Sequence, residues 1–507
     1  METESKETSR RGLPAMPEEI FLAKTEKRVD WKRLLFILLG LFLFCLIYCS
    51  PNWADAIDPA GKAFPLKPEG KAALALFLLA AAWWIFEVVP IGVTAIAIGA
   101  GQALFLIRPA KTAFNDFMDP SVWFIIGSLV IGKVFTKTGL TQRMAYKMLV
   151  LVGERTTMIY LGCYLMIAAL TMIMAHTAVA ATVFPLLMAI YGLYGEGDRP
   201  TRFGKGLFIG MAFSAGAGSV VTLLGGARAA VAIGFFKDMA GREIGFFELS
   251  RYMFPIGWGM VILIWLLLSA WFPPEKKTIP GLRARAQALY ARLGPIYRTE
   301  LLTLVIVFAA ILALSLHSFF KFLEPFDKSA IILAATVLFF VFNVLTLEDL
   351  EEIPWNIVLL FGGAMSIGLC LWQTGAANWM AVKWLTLFQH AHWLVFVLSI
   401  GFFCLIMTNF IMNVAAIAIT MPVALAIAPY LGVAPEVILY TSLAAAGMPF
   451  LLLIGAAPNA IAYGSGQFNS RQFFQAGIPA SIILMIVLAI FARLIWPLMG
   501  MPVLLPK

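Results

Sequence analysis

Apolar segments long enough to cross a membrane follow one another along almost the whole chain, with short polar segments between them. About 20 predominantly apolar residues are needed to cross the hydrocarbon core as an α-helix. The pattern therefore predicts an all-α polytopic membrane protein with about eleven transmembrane helices. The apolar segments are residues 34–50, 72–89, 90–107, 121–136, 157–193, 203–235, 252–272, 300–320, 328–346, 353–372, 392–430, 435–465 and 475–500.

Three of these segments are too long for a single span. Residues 157–193, 203–235 and 392–430 each carry Gly, Pro, Asn or His near the middle. An interrupted helix exposes backbone groups, which at membrane depth must face protein or a water-filled cavity rather than lipid. We therefore predict broken or re-entrant helices in all three segments, as in many transporters.

The two halves of the chain resemble each other. The segment that ends at Gly139 aligns with the one that ends at Gly375, and Pro185 aligns with Pro422. Further on, Gly225 aligns with Gly455. A repeat joined through an odd number of spans is inverted in the membrane. Inverted repeats with discontinuous helices are typical of alternating-access transporters.

Composition and charge exclude other classes of protein. Hydrophobic residues make up 61% of the chain and charged residues 13%, against roughly 25% charged residues in soluble domains. The net charge of +9 comes from Lys and Arg between apolar segments, which the positive-inside rule explains without a nucleic-acid partner.

Charge also predicts the orientation in the membrane. The basic tail 1–33 and the basic linker 273–299 are both predicted to be cytoplasmic in a multi-pass inner-membrane protein. An odd number of spans after the linker then places the C-terminus outside. The first apolar segment has no small-residue cleavage site, so we interpret it as a retained span.

The sequence carries no enzyme signature. It has no phosphate loop, Gly-rich dinucleotide turn, nucleophile elbow or metal-binding His-Glu motif. The five cysteines lie in apolar segments, and none is spaced with His as in a zinc site. We predict a protein without enzymatic activity or bound cofactor, whose partners are the lipid bilayer and a small anion.

Three motifs resemble those of a known family. Residues 83–94 read WWIFEVVPIGVT, which is similar to the signature WWITEAIPLPVT. Residues 353–363 and 373–375 read IPWNIVLLFGG and QTG, similar to IPWxxLLLFGG and ETG, and residues 457–466 read APNAIAYGSG, similar to PPNAIxFGSG. On these motifs, spread over most of its length, the chain resembles the divalent-anion/sodium symporters.

The resemblance implies a homodimer in which each protomer has a scaffold and a transport domain. The transport domain contains two re-entrant hairpins and slides across the membrane like an elevator. The implied division is a cytoplasmic tail at 1–33, scaffold spans at 34–156 and 300–391, transport parts at 157–272 and 392–507, and a cytoplasmic linker at 273–299.

The resemblance also implies where substrate and ions bind. Each hairpin tip of the family carries Ser-Asn-Thr, in which the Asn binds substrate and the motif coordinates sodium together with an unwound loop. Here the tips read Ala175-His176-Thr177 and Met412-Asn413-Val414, and the loops read 225–228 GGAR and 455–459 GAAPN. The implied substrate-binding residues are His176, Thr177, Arg228, Asn413, Pro458 and Asn459. The implied sodium-site residues are Thr177, Gly225, Asn413, Gly455 and Ala457.

Two of these residues depart from the family in a chemically informative way. Arg228 lies deep in an apolar segment, where insertion costs about 2.5–3.5 kcal/mol, so it is predicted to face a cavity or a partner. Its guanidinium can bind a carboxylate or another oxyanion and replace a sodium ion, unless it snorkels to the surface. His176 can donate to substrate or couple transport to pH, or it can be a satisfied core residue.

We therefore predict a secondary active transporter of a small organic anion of the di- or tricarboxylate class, operating by an elevator mechanism. Because most tip hydroxyls are missing, the coupling is left open between sodium symport, proton coupling and exchange. The alternatives are a carrier of a sulfonate, another monoanion or an inorganic oxyanion with proton coupling, and a channel or non-transporting membrane sensor.

Overall fold

The computed structural model describes residues 31–57, 63–86, 88–195, 199–316, 320, 326–388, 392–410 and 413–505. Most of the predicted tail 1–33 therefore lies outside the described residues, as do Glu87 of the Trp-Trp motif and Met412 of the second predicted tip. The first span begins at Trp31, three residues before the predicted position. Lys32 and Arg33 are good helix formers whose charged ends can leave the apolar layer.

The described residues form 23 α-helices and one two-stranded antiparallel sheet, β1 (Ala56–Ile57) and β2 (Ala63–Phe64). The helices are α1 (Trp31–Tyr48), α2 (Pro68–Ile85), α3 (Ile91–Leu104), α4 (Ala110–Asn115), α5 (Pro120–Lys137), α6 (Leu140–Val152), α7 (Thr156–Thr171), α8 (His176–Tyr194), α9 (Arg202–Ser219), α10 (Arg228–Ala240), α11 (Phe246–Trp271), α12 (Leu282–Arg292), α13 (Arg298–Leu316), α14 (Lys328–Val341), α15 (Leu347–Glu351), α16 (Trp355–Gln373), α17 (Ala376–Phe388), α18 (Trp393–Phe410), α19 (Asn413–Ile427), α20 (Pro435–Gly447), α21 (Ala457–Tyr463), α22 (Ser470–Ile490) and α23 (Trp496–Leu498).

The helices have the length and surface expected of membrane spans. Eight helical segments of the described residues are long and apolar enough to cross a membrane, and four more are apolar but shorter. Large hydrophobic side chains on the outer helices α1, α13 and α22 are exposed, among them Leu35, Phe308 and Ile482. Exposed apolar faces of this extent suit lipid rather than water. The predicted all-α polytopic membrane fold is confirmed.

All three overlong segments are interrupted, as predicted. A turn at residues 172–175 separates α7 from α8, and residues 220–227 separate α9 from α10. In the third segment, the Thr420 hydroxyl lies 3.7 Å from the Cys404 sulfur, whereas a continuous helix would hold these residues about 24 Å apart. Thus α18 and α19 also form a hairpin.

The helix boundaries reproduce the internal repeat. Helices α6 and α17 are offset by 236 residues at both ends, from 140 to 376 and from 152 to 388. The first residues of α8 and α19, His176 and Asn413, are 237 residues apart. The second half also repeats the broken helix, because residues 448–456 separate α20 from α21.

The helices pack in two groups. In one group, α3 packs along α16, α1 along α2 and α5 along α14. In the other group, α7 and α11 pack on α9, α18 packs on α20, and α10 packs on α19. The groups meet where α5 contacts α8 and α10, and where α16 contacts α10 and α19. The hairpins and broken helices therefore lie together, beside a wall of more regular helices.

Several cations in the helices have carboxylate partners. Lys133 on α5 pairs with Glu352, and the neighbouring Lys137 pairs with Asp349. Arg143 on α6 pairs with Glu300 on α13 at 3.0 Å. Arg108 pairs with Asp116 in the same way, and both side chains are buried. These pairs hold helices together, so we interpret Lys133 as structural.

Candidate functional site

Four helix starts lie at the four chain breaks. Helix α8 begins at His176, α10 at Arg228, α19 at Asn413 and α21 at Ala457. The starts of α8, α10 and α21 have no side-chain cap, as is also true of other helices such as α3 and α7. Uncapped helix starts leave backbone N–H groups, which favour anions, without intrahelical partners.

The guanidinium of Arg228 connects the two repeats. It is 2% exposed, although Arg228 is the first residue of a helix, so it does not snorkel to the surface. Its Nη2 donates to the Ser219 hydroxyl at 2.7 Å, and its Nη1 lies 3.3 Å from the Asn413 side-chain oxygen. A methyl group on Gly447 would lie 2.7 Å from Nη2, so this glycine makes room for the charge.

The amide orientation of Asn413 follows from its neighbours. The Thr408 hydroxyl donates its single proton to the Ala446 carbonyl at 2.9 Å, so toward Asn413 it can only accept. The Asn413 nitrogen must therefore face Thr408 at 2.9 Å and the Gly455 carbonyl at 3.1 Å, which leaves the oxygen facing Arg228. We assign this orientation because it satisfies every polar atom of the amide.

Arg228 has no carboxylate partner within the part of the chain that the structure describes. Its two partners, a hydroxyl and an amide oxygen, are neutral and do not cancel its charge. This distinguishes Arg228 from Arg108 and Arg143, which are each paired with an acid. A guanidinium has five N–H donors in a planar fork, so the site retains capacity for an anionic acceptor.

His176 lies at the corresponding tip of the first repeat. Its backbone N–H donates to the Gly225 carbonyl at 3.3 Å, which joins hairpin α7–α8 to the loop that precedes Arg228. Its Nδ1 is buried without a hydrogen-bond partner. Since buried polar atoms are normally satisfied, this nitrogen is available to a ligand, unlike that of a satisfied core histidine. Thr177 follows in the first turn of α8 and is half-buried.

The loop of the second repeat is held by amides. Asn459 Nδ2 donates to the carbonyls of Pro449 and Leu452 at 2.8 and 3.0 Å, so its nitrogen is committed to its own loop. Asn409 Oδ1 accepts from the N–H groups of Leu451 and Leu452. Pro458 is buried beside Asn459, and Ala457 before it is half-buried at the start of α21.

Two glycines allow the loops to approach the hairpins closely. A Cβ atom on Gly225 would lie under 3.0 Å from the carbonyl oxygens of Thr171 and Ser219. A Cβ atom on Gly455 would lie 3.0 Å from the Thr408 carbonyl oxygen. At both positions, backbone carbonyl oxygens therefore lie close to the loop. Carbonyl oxygens are ligands that hard cations prefer.

The structure brings some predicted residues together and adds others. Arg228, Asn413 and Gly455 form one hydrogen-bonded set, and His176 is bonded to Gly225. Sequence reasoning missed Ser219, Thr408 and Asn409. The signal for the latter two was the amide of Asn409 inside the apolar segment 392–430, next to Thr408. Ser219 had no such signal, because it ends a helix rich in Gly and Ser.

Curated proteins that are similar to the chain over nearly its full length include two named SdcS. The sodium-dependent dicarboxylate transporter SdcS of Staphylococcus saprophyticus is 24% identical, with 95% of both chains covered. A protein of the same name from Staphylococcus aureus is 23% identical over 94% of both chains.

Solved structures show the same fold. MtrF of Neisseria gonorrhoeae, described as illuminating a class of antimetabolite efflux pumps, superimposes with a TM-score of 0.56 at 13% identity, covering 91% of this chain and 93% of that one. The YdaH transporter of Alcanivorax borkumensis gives a TM-score of 0.56 at 14% identity, covering 93% and 98%. At these identities the similarity concerns the fold alone.

The family assignment covers most of the chain. Residues 59–502 match the family described as the sodium:sulfate symporter transmembrane region. This range contains both hairpins, both broken helices and every residue of the candidate site. The chain therefore belongs to the sodium:sulfate symporter family, and it is a membrane transporter rather than an enzyme.

Proposed function

We propose that this transporter carries a small organic anion of the di- or tricarboxylate class, with Arg228 as the cationic partner of the anion. The observation that carries the proposal is a fully buried guanidinium with no carboxylate partner among the described residues. A cation at membrane depth is costly and marks a substrate or ion pathway. The names of the SdcS relatives, which refer to dicarboxylates, agree with this substrate class.

The neighbours of Arg228 explain how the anion would be held. A carboxylate can accept two parallel N–H bonds from a guanidinium, replacing the neutral Ser219 and Asn413 oxygens. His176 Nδ1 lacks a partner and can donate to a second oxygen in the tautomer that carries its proton there. With Arg228 only 2% exposed, the anion reaches it only when the hairpins part.

Sodium is the coupling ion that we propose, with exchange as the alternative. Sodium dependence appears in the names of the family and of the SdcS relatives. The carbonyl oxygens that face Gly225 and Gly455 are suitable ligands for a hard cation. The Asn413 amide bonds to both the Gly455 carbonyl and Arg228, so Arg228 lies close to the second of these two positions. Its fixed positive charge would take over part of the role of a sodium ion there.

A second candidate substrate is a sulfonate, another monoanion or an inorganic oxyanion, with coupling to protons. The observation in its favour is that Arg228 is the single cationic side chain bonded to this site among the described residues. A dicarboxylate carries a second charge, which would then rely on the uncapped starts of α8 and α10. A monoanion would need the guanidinium alone.

Counterflow in proteoliposomes tests the substrate and the coupling ion. We expect preloaded succinate to drive uptake of labelled succinate and methanesulfonate to be a weak competitor, because only the dicarboxylate uses both the guanidinium and the helix starts. An inward sodium gradient should accelerate uptake more than a proton gradient. Stronger competition by methanesulfonate, with a response to protons alone, would favour the monoanion. Currents far above carrier turnover would indicate a channel, and binding without flux would indicate a sensor.

The proposed mechanism is an elevator within a homodimer in the inner membrane, with the N-terminus and the basic linker cytoplasmic and the C-terminus outside. The hairpins and broken helices of residues 157–272 and 392–507 form the moving domain, and residues 34–156 and 300–391 form the scaffold. The scaffold and the moving domain contact each other where the Thr136 hydroxyl on α5 lies 3.3 Å from the Thr182 hydroxyl on α8.

Crosslinking across this boundary tests the motion. In a background with the exposed Cys45 and Cys49 changed to serine, the double variant T136C/T182C should lose transport when oxidised and recover it on reduction, because the bond fixes α8 to α5. Each single variant, treated with the same oxidant, is the control. Full transport by the crosslinked double variant would contradict sliding at this boundary.

A further inference from the structure

A groove separates the first hairpin from two helices near the linker. It has a volume of about 490 Å³ and lies between α6, α8 and α12. Helix α6 packs against α12, and the groove runs between this pair and the second arm of the hairpin. Small side chains keep it open, with Ala145, Ala189 and Ala286 contributing one from each helix. None of the residues assigned to the transport site lines it.

The walls of the groove are mainly apolar. Leu149 on α6, Leu289 on α12, and Val183, Leu186 and Ile190 on α8 line it. The lining residues of α8 run from Thr182 to Leu193, a length of roughly 17 Å at the helical rise. One leaflet of the hydrocarbon core is about 15 Å deep. The groove therefore has the length and polarity of a site for an acyl chain.

One end of the groove lies at the basic linker. Helix α8 ends at Tyr194, whose carbonyl accepts from Lys276 Nζ at 2.7 Å. The adjoining helix α12 contains Arg283, Arg285 and Arg292 and no acidic residue. Arg285 lines the groove, is exposed and forms no ion pair with any residue that the structure describes.

An acid that contacts the start of this helix has another role. The Glu154 carboxylate accepts from the backbone N–H groups of Gly281 and Arg283 at 2.9 and 3.4 Å, so it caps the start of α12. The arginine side chains of α12 therefore keep their charge available to an outside anion. A cationic rim above an apolar wall matches an anionic phospholipid, since each nearby Lys or Arg contributes about 1 kcal/mol to attraction by an anionic surface.

We propose that this groove binds one anionic phospholipid, with an acyl chain against α6 and α8 and the phosphate paired with Arg285. A functional consequence follows, and it rests on the elevator proposal above. In that mechanism, the groove lies between the moving hairpin on one side and helices α6 and α12 on the other. A bound lipid then links hairpin movement to the lipid composition of the membrane. The binding itself does not depend on the identity of the transported anion.

Lipid binding to the purified full-length protein tests the proposal. In native mass spectrometry, phosphatidylglycerol should bind more tightly than phosphatidylcholine with the same acyl chains. Arg285→Gln should weaken phosphatidylglycerol binding about fivefold, the equivalent of about 1 kcal/mol. Arg283→Gln is the matched control, because it removes the same charge from the same helix but does not line the groove. Ala189→Phe should fill the groove and weaken both lipids.

Several outcomes would overturn the inference. Equal losses for Arg283→Gln and Arg285→Gln would indicate a diffuse basic surface, and equal binding of both lipids would indicate a neutral acyl site. Competition by inorganic phosphate would assign Arg285 to a free anion. Loss of dimers in Ala189→Phe with unchanged lipid binding would assign the groove to a second copy of the chain. Failure of counterflow leaves the lipid measurement intact, so the two proposals fail separately.

Discussion

Replacing Arg228 with alanine is expected to weaken anion binding and transport strongly without unfolding the protein. A hydrogen bond to a charged group contributes about 1.5–3 kcal/mol, which corresponds to a loss of about 10- to 150-fold in anion affinity. Arg228→Lys keeps the charge but not the planar fork, so it should transport with a raised half-saturating concentration. The measurement is counterflow over a range of anion concentrations, together with thermal unfolding in detergent.

The stability measurement separates a substrate role from a structural one. Arg228 bonds only to neutral groups among the described residues, so its removal takes away a buried charge that no acid compensates. Arg143→Ala is the matched control, because it leaves Glu300 buried without its partner. Breaking a buried pair in this way is destabilising by about 3–5 kcal/mol. Wild-type anion affinity in both Arg228 variants would contradict a role of Arg228 in substrate binding.

A methyl group at Gly225 is expected to slow transport and to destabilise the protein. Its Cβ atom would lie under 3.0 Å from the backbone oxygens of Thr171 and Ser219, and backbone atoms cannot move aside as a flexible side chain can. Overpacking of this kind costs about 1–3 kcal/mol. It would also push the hairpin tip away from the loop that carries Arg228. We expect Gly225→Ala to lower the unfolding temperature and the rate of sodium-driven uptake.

Gly259→Ala is the control for this substitution. Gly259 also belongs to the predicted transport part, within helix α11, but an added Cβ atom there would meet no atom within 4 Å. The control should therefore transport like wild type and unfold at the same or a slightly higher temperature, because alanine is the better helix former. If Gly225→Ala behaved like Gly259→Ala, the close approach between the hairpin tip and the loop would have no role in transport.

Much of the candidate site could be predicted from sequence because hydrocarbon makes polar residues conspicuous. His176, Arg228 and Asn413 interrupt apolar segments, and each is the first residue of a helix at a chain break. Ser219 and Thr408 were not predicted, although both bond directly to Arg228 or Asn413. Hydroxyls are common inside spans because they can bond to their own helix backbone, so their presence does not by itself indicate a site.

The sequence by itself determined the membrane class, the repeat and the positions of the breaks, since apolar length and helix interruption are local properties of the chain. Only the tertiary structure decided which cations are neutralised. Lys133 and Arg228 both lie in apolar segments, yet Lys133 pairs with Glu352, 219 positions away, and Arg228 pairs with no described acid. Such partners meet only when distant helices pack, and the same packing creates the groove between α6, α8 and α12.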